Sequence, residues 1–339
     1  MQTATKREAF GRVLVTGATG FLGRAVAEAL EHEGHTVLRG ARNRPAAAPA
    51  GQAWIGHGDI GPQTRWDAPL VGVETVVHLA GAAHLPETTM AASVDAFSRV
   101  NADGTARLAS AAVGAGIRRL ILMSSALVHG AASPPGRPFS EEDEPAPTSP
   151  YARSKLDAER RLMAAARGSG LQWIILRPPM VYGAQARGNF QRLVRLLRTG
   201  MPLPLGAATA PRTFIGIDNL AHAVVRCVEH QSAVNQVFLV GDREATSTAD
   251  FVHRIAAALN RRVWTPRVPP VLLRTGFRFA RRERDFERLF DPHELDTRRM
   301  RAELDWIPPM SLDEGLARAL RPKSTIATVD PGRPAPRAA

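Results

Sequence analysis

Tyr151 and Lys155 are the residues best placed by type and spacing to move a proton. They stand four apart in the stretch Pro-Tyr-Ala-Arg-Ser-Lys, so on a helix both side chains share one face. A free phenol has a pKa of about 10, too high for efficient proton exchange at neutral pH. A neighbouring ammonium favours the phenolate and lowers that value, which equips Tyr151 to serve a carbonyl or hydroxyl. The same spacing arises often by chance, so a third group is needed. Ser125 follows the apolar run Leu120–Ser124, read as a strand, and open parallel sheets bind ligands at the C-terminal ends of their strands. Its hydroxyl can orient a substrate oxygen. Ser124 is a rival for that role, and a serine satisfying local backbone groups is the plainer alternative.

Far upstream lies Thr16-Gly17-Ala18-Thr19-Gly20-Phe21-Leu22-Gly23. It follows the short apolar strand Arg12–Val15 and opens a helical pattern of Leu22, Ala25, Val26, Ala29 and Leu30 that Gly34 stops. Glycines there allow a tight turn and close approach of a pyrophosphate. The helix N-terminus offers that anion free N–H groups. Gly17, Thr19, Gly20, Phe21, Leu22 and Gly23 are therefore candidate cofactor contacts. An NAD-preferring site places an acidic residue about 20 positions on. The second strand here ends Leu38-Arg39-Gly40-Ala41-Arg42, with Arg44 beyond and no carboxylate. Arginine suits a 2′-phosphate, so Arg42 predicts NADP in preference to NAD.

The elements that must position these groups alternate. Strands are expected at Thr36–Arg39, Thr75–Leu79, Leu120–Ser124 and Trp173–Leu176, and helices at Val94–Ala115 and after Pro150. That alternation predicts an α/β fold, a Rossmann-type doubly wound parallel sheet. After Arg177, prolines break the chain into shorter pieces. Helices are expected at Asn189–Arg198, Asp218–His230, Ala249–Leu259 and Leu312–Leu320, and a strand at Val237–Val240. The expected organisation is a dinucleotide-binding domain over 11–177 with 214–241 returning to it, and a smaller C-terminal substrate-binding part over 178–213 and 242–320. Residues 321–339, Pro-rich and polar, are expected to be a disordered tail.

Bulk properties narrow the classes. The chain has 339 residues, 44 % of them hydrophobic, and a formal net charge of +12. No apolar run reaches the roughly 20 residues that span a bilayer, and Met1 to Phe10 lacks a signal-peptide core, so a cytoplasmic location is expected. The one cysteine, Cys227, excludes an internal disulfide and a cysteine-based zinc site. No metal is expected. The positive balance admits nucleic acid, a membrane surface or an anionic ligand. The basic residues are dispersed apart from Arg281 to Arg288 and carry no nucleic-acid-binding signature, so an anionic small ligand is expected and nucleic acid is not.

The chain resembles the extended short-chain dehydrogenases/reductases, the NAD-dependent epimerase/dehydratase family. The resemblance rests on Val13-Leu14-Val15 with the glycine loop, Gly58-Asp59-Ile60, Val76-Val77-His78-Leu79-Ala80-Gly81, Val100-Asn101-Ala102-Asp103-Gly104-Thr105, Ser124-Ser125-Ala126, Tyr151 with Lys155, and Leu176-Arg177-Pro178-Pro179-Met180-Val181-Tyr182-Gly183. It implies that Asp59 and Ile60 flank an adenine, and that Leu79, Ala80 and Gly81 line the cofactor ribose and phosphates. Lys155 would hold nicotinamide ribose hydroxyls, Asn101 would support Lys155, and Pro178 to Val181 would lie near the carboxamide.

On the substrate side, Arg212 would pair with a nucleotide-sugar pyrophosphate, and Asn189 would bond a phosphate or base edge. His84 and His129 are open cases, with a structural role favoured for His129. Ala126 and Leu127 stand where the family's dehydratases carry an Asp-Glu pair, which argues against sugar 4,6-dehydration. Gly188-Asn189-Phe190, Pro202-Leu203-Pro204-Leu205-Gly206 and Leu304-Asp305-Trp306 most resemble UDP-4-keto-sugar reductases of bacterial polysaccharide biosynthesis. The resemblance thus implies reduction of a UDP-4-keto-6-deoxy-N-acetylhexosamine at C4. A UDP-sugar 4-epimerase is the alternative, followed by a non-catalytic NADP-binding protein and a reductase of steroids or other small ketones. A homodimer through Val94–Ala115 and Tyr151–Arg167 is implied by analogy.

Overall fold

The computed structural model describes residues 11–83, 90–186 and 188–321, with backbone alone at 90–93. His84 and the tail beyond Arg321 lie outside the described residues.

Parallel strands covered on both faces must be apolar throughout, and the first strands meet that demand. Strand β1 (Arg12–Thr16) buries every residue after Arg12. It runs through the glycine loop into α1 (Phe21–His32), followed by β2 (Val37–Ala41), β3 (Ala53–Gly56) and β4 (Val73–His78). Then come α2 (Met90–Phe97), a π-helical turn at Ser98–Asp103, α3 (Gly104–Gly114), β5 (Arg119–Met123), α4 (Pro150–Ala166) and β6 (Gln172–Arg177). The expected single helix Val94–Ala115 is therefore three segments. The π turn widens the ladder at Asn101, a distortion that tends to mark functional sites. Strand β3 escaped the sequence reading because Ala-Trp-Ile-Gly is short, half-exposed and lies at the sheet edge.

The rest of the chain is built from shorter pieces. They are β7 (Met180–Tyr182), α5 (Asn189–Thr199), β8 (Pro211–Arg212), β9 (Phe214–Gly216), α6 (Ile217–Glu229), β10 (Gln236–Leu239), β11 (Thr246–Ser247), α7 (Thr248–Ala258), α8 (Pro270–Phe279), α9 (Glu283–Phe290), α10 (Arg298–Leu304) and α11 (Leu312–Leu320). Helices α8 to α10 were not foreseen. The apolar residues of α9 and α10 are few and set among arginines, and those of α8 are spread round the helix, which blurs helical periodicity.

Seven strands form one parallel sheet in the order β10-β6-β5-β4-β1-β2-β3. Strand order reverses between β1 and β4, the switch point where such sheets open a crevice. Helices α1 and α6 cover one face, with Val26, Leu30, Leu220 and Val224 fully buried. Helices α3 and α4 cover the other with Leu108, Ala109, Ala158 and Leu162. This is the doubly wound arrangement expected from the sequence.

A second core gathers Tyr182, Phe190, Phe214, Phe251, Phe286 and Phe290. The Phe214 and Phe251 rings stack at 4.1 Å, and Phe286 and Phe290 at 4.5 Å. Asp242 couples the two cores. Its carboxylate accepts from the Tyr182 hydroxyl at 2.7 Å, Asn219 Nδ2 at 2.7 Å and the Gly216 N–H at 3.1 Å. Burial pushes its pKa up, opposed by those three donors.

Candidate active site

The cofactor cradle is made by backbone. Gly17 has φ +68°, and a Cβ there would lie 2.9 Å from the Ala80 nitrogen. Conformation and close packing both demand glycine at this position. The Thr16 hydroxyl accepts the N–H groups of Leu79 and Ala80, each at 3.1 Å, and sits 2.8 Å from His78 Nδ1. It thus ties the ends of β1 and β4 together at the switch point. Burial drives the His78 pKa down to about 3, so the ring is neutral.

At Gly23 a Cβ would fall 2.1 Å from the Gly17 oxygen, so the loop and α1 are in backbone contact. Gly20 caps α1 with no side-chain hydrogen bond, and Thr19 and Gly20 are exposed. Helix α1 therefore presents first-turn N–H groups that no side chain satisfies, which suits a pyrophosphate. The Phe21 ring packs against Gly183, where a Cβ would meet it at 2.9 Å. Leu22 lies against the core. These residues fit a dinucleotide.

At the far end of β2, the two arginines part company. Arg39 is 2 % exposed, bonded to Glu31 at 3.0 and 2.8 Å and laid over Trp54. It is structural. Arg42 stays exposed and pairs with Asp59 at 2.7 Å. Ile60, next along, packs over Gly104, where a Cβ would collide with its methyl at 2.4 Å.

The proton-handling end is set by the start of α4. Ser149 caps the helix by accepting the Ala152 N–H at 3.2 Å, and Pro150 occupies the first turn. Tyr151 thereby enters at the mouth of the helix with Lys155 one turn deeper. Ser125, in extended backbone just past β5, accepts the Leu127 N–H at 3.3 Å and lies close enough to the Tyr151 phenol to favour its ionised form. Phe97 meets the Tyr151 ring edge-on at 5.7 Å. Lys155 donates to the Met123 carbonyl at 2.9 Å.

Burial lowers the Lys155 pKa to about 8, with Glu159 pulling the other way. The phenol departs from the sequence expectation: its pKa is raised, because burial outweighs the opposing influence of Ser125. The lysine's bond to the Met123 carbonyl commits the ammonium elsewhere.

Under this pair lies a buried ionic network. Glu159 is fully buried and holds Arg177 through bonds of 3.0 and 2.6 Å. The Ser124 hydroxyl also donates to Glu159, so Ser124 is engaged below the site while Ser125 faces Tyr151. Arg177 donates to His129 Nε2 at 2.9 Å, and His129 stacks on Phe139. Burial, then the Arg177 charge, drives the His129 pKa to about 4. His129 therefore has a structural position.

Asn101, on the π turn, accepts the Ala82 N–H at 2.9 Å and donates to the Ala82 oxygen and Ser154 Oγ, each at 3.0 Å. It clamps the segment after β4 to α4 without touching Lys155 directly. A Cβ on Gly81 would come 2.9 Å from Asn101 Oδ1 and 3.3 Å from Lys155 Nζ. Glycine loop, Gly81, Asn101 and Lys155 thus share one crevice. Pro178 accepts the Ala126 N–H at 2.9 Å, and Val181 pairs with Ile215.

The model of the NAD-dependent epimerase/dehydratase family matches residues 13–241. The chain belongs to that family. Its members here include a UDP-glucose 4-epimerase of Vibrio cholerae, 34 % identical over 304 residues, covering 89 % of this chain and 92 % of that protein. Among solved structures, MoeE5 in complex with UDP-glucose and NAD is 28 % identical, with TM-score 0.73, 91 % of this chain and 97 % of that one covered. The UDP-glucuronic acid 4-epimerase from Bacillus cereus in complex with NAD, 22 % identical at TM-score 0.73 over 91 % of this chain and 96 % of that one, shares the fold. The chain is accordingly an NAD(P)-dependent enzyme of the extended short-chain type.

The substrate-side candidates are looser. Asn189 is exposed at the first position of α5. Arg212, on β8, donates to the Asp291 carbonyl, and burial lowers its pKa to about 10. His293 bridges to it in parallel and is itself buried. Glu159, Phe97 and His293 were not singled out from the sequence. Glu159 alone carried a signal, standing one helical turn beyond Lys155 on the same face.

Proposed function

We propose that the chain is a UDP-sugar 4-epimerase that oxidises the C4 hydroxyl and returns hydride to the opposite face. The observation that carries this is the placement of Ser125 beside Tyr151, with a buried Lys155 one turn deeper on α4 and next to a glycine cradle, in a chain that matches a UDP-glucose 4-epimerase nearly end to end. Ser125 orients the sugar oxygen, Tyr151 takes up and returns its proton, and Lys155, one turn deeper, would hold the nicotinamide ribose hydroxyls. The dinucleotide, when bound, supplies a nicotinamide ring that accepts and donates hydride. Gly17 to Gly23 would hold its pyrophosphate, Asp59 and Ile60 its adenine, and Leu79 to Gly81 with Asn101 its ribose and phosphates. Pro178 and Val181 would border the carboxamide.

In this reading 11–177 with 214–241 holds the cofactor, and 178–213 with 242–320 holds the sugar nucleotide through Asn189 and Arg212. Ala126 and Leu127 offer no proton-transfer group for dehydration.

A second reading, a reductase of a UDP-4-keto-6-deoxy-N-acetylhexosamine, is favoured by Arg42, exposed at the end of β2 where no carboxylate of that strand selects NAD. Incubation with UDP-glucose or UDP-N-acetylglucosamine and NAD separates the two. Formation of the C4 epimer with no net change in cofactor absorbance supports the epimerase. Net NADPH consumption with the 4-keto sugar, and no epimer from either UDP-sugar, replaces it with the reductase. In either reading a homodimer packs through 94–115 and 151–167, and sedimentation velocity should give twice the chain mass.

A further inference from the structure

The arginine tract Arg281–Arg288 belongs to a longer cationic segment that the active site does not use. Residues 261–288 hold nine arginines against Glu283, Asp285 and Glu287, a net +6 out of the chain's +12. Within it, α8 buries no residue completely. Leu273 and Phe277, one turn apart, lean on the second core. The opposite side leaves Val271, Leu272 and Phe279 at 75, 65 and 86 % exposure. Val271 and Phe279 are two turns apart and so share a face. Trp264, in the segment leading to the helix, is 70 % exposed. Arg274 and Arg282 pair with Glu283 and Asp285. Arg267, Arg278 and Arg281 have no carboxylate partner among the described residues.

A large aromatic and two aliphatic side chains held in water beside unneutralised guanidinium groups are an interfacial pattern. We infer that α8 and its flanks seat on an anionic lipid bilayer, with Val271, Leu272 and Phe279 entering the headgroup boundary and the arginines meeting lipid phosphates and acidic headgroups. Charge selects this occupant. A second copy would set one +6 segment against another, whereas a negatively charged leaflet complements it. Nucleic acid would answer the arginines but leave the aliphatic side chains in water. The association is peripheral, since no helix among the described residues is long and apolar enough to cross a membrane.

Flotation of the full-length chain with vesicles tests this. It should float with phosphatidylcholine vesicles containing one-third phosphatidylglycerol, stay behind with phosphatidylcholine alone, and be released by high salt. The double variant Leu272→Asp/Phe279→Asp should lower the bound fraction roughly tenfold or more, and Arg278→Glu should lower it less. Both should retain wild-type circular dichroism and dinucleotide binding. No flotation with the anionic vesicles overturns the inference. So does flotation that the double variant leaves unchanged, a dimer in sedimentation velocity that the double variant dissociates, or capture by RNA or an acidic polypeptide at the expense of the vesicles.

Discussion

The cofactor half and the substrate half hold their key residues by different means. Around the glycine loop, position comes from the main chain. Gly17, Gly23 and Gly81 each sit where a single Cβ would collide with a neighbour, and Thr16 binds two backbone N–H groups. In the substrate half, position comes from side chains meeting across long stretches of sequence. Tyr182 finds Asp242, Arg212 finds the Asp291 carbonyl, and stacked phenylalanines fill the space between. The first arrangement tolerates almost no change in its glycines. The second can be altered at its exposed members with only local loss, which is how one chassis can serve different substrates.

The largest break in that contrast should come from Tyr151→Phe. Removing the hydroxyl should reduce kcat by about 10²- to 10⁴-fold. Dinucleotide affinity, measured by fluorescence titration, should change little, because the cradle is backbone. A similar loss in affinity and turnover would mean that the phenol holds the cofactor more than it moves a proton.

Glu159→Gln leaves the buried Arg177 without its counter-charge and should cost about 3–5 kcal/mol in chemical denaturation. Because Glu159 raises the Lys155 pKa against the lowering by burial, the variant should also move the kcat–pH profile toward lower pH on the limb that reports Lys155. A stability loss with an unmoved profile would make Glu159 a packing group alone.

Acid should destabilise both halves through buried neutral histidines. Burial holds His78 near a pKa of about 3, and His129 and His293 near about 4, against an unfolded value of about 6.5. The unfolded chain therefore takes up protons first. Stability is unaffected above pH 6.5, falls as pH drops through that value, and stops falling once the folded pKa is passed. Full titration corresponds to on the order of 3 kcal/mol for His129 and His293 and roughly 5 for His78. Thermal melts at stepped pH should show the fall, and His129→Asn should flatten part of it.

The smallest effects belong to the sugar side. Arg212→Ala should raise KM roughly tenfold with kcat less changed, and Asn189→Ala, at an exposed helix start, a few-fold at most. A large kcat loss in Arg212→Ala would place that arginine in the chemistry and erase the contrast between the halves.

The reading from residues was most complete where backbone rules operate. Strand–glycine–helix at 12–32 and the strands β4, β5 and β6 were legible because burial on two faces leaves an apolar run, and because Gly17 and Gly34 punctuate it. The π turn at Ser98–Asp103 was not, since its residues differ little from those of an ordinary helix. Helices α9 and α10 were hidden by the arginines interspersed among their few apolar residues, and α8 by apolar residues spread round its circumference. Ser124 and Ser125, adjacent and alike, could not be told apart until strand pleating turned one toward Glu159 and the other toward Tyr151.

By itself the sequence determined the parallel sheet, the phosphate-binding turn and the helical spacing of Tyr151 and Lys155, because each depends on contacts a few residues long or on a face set by periodicity. Tertiary structure decided that burial raises the phenol's pKa, that Lys155 points at the Met123 carbonyl, and that Arg39 is spent on Glu31 while Arg42 stays in water. Those outcomes depend on desolvation and on partners brought from distant segments, and neither is written in local spacing.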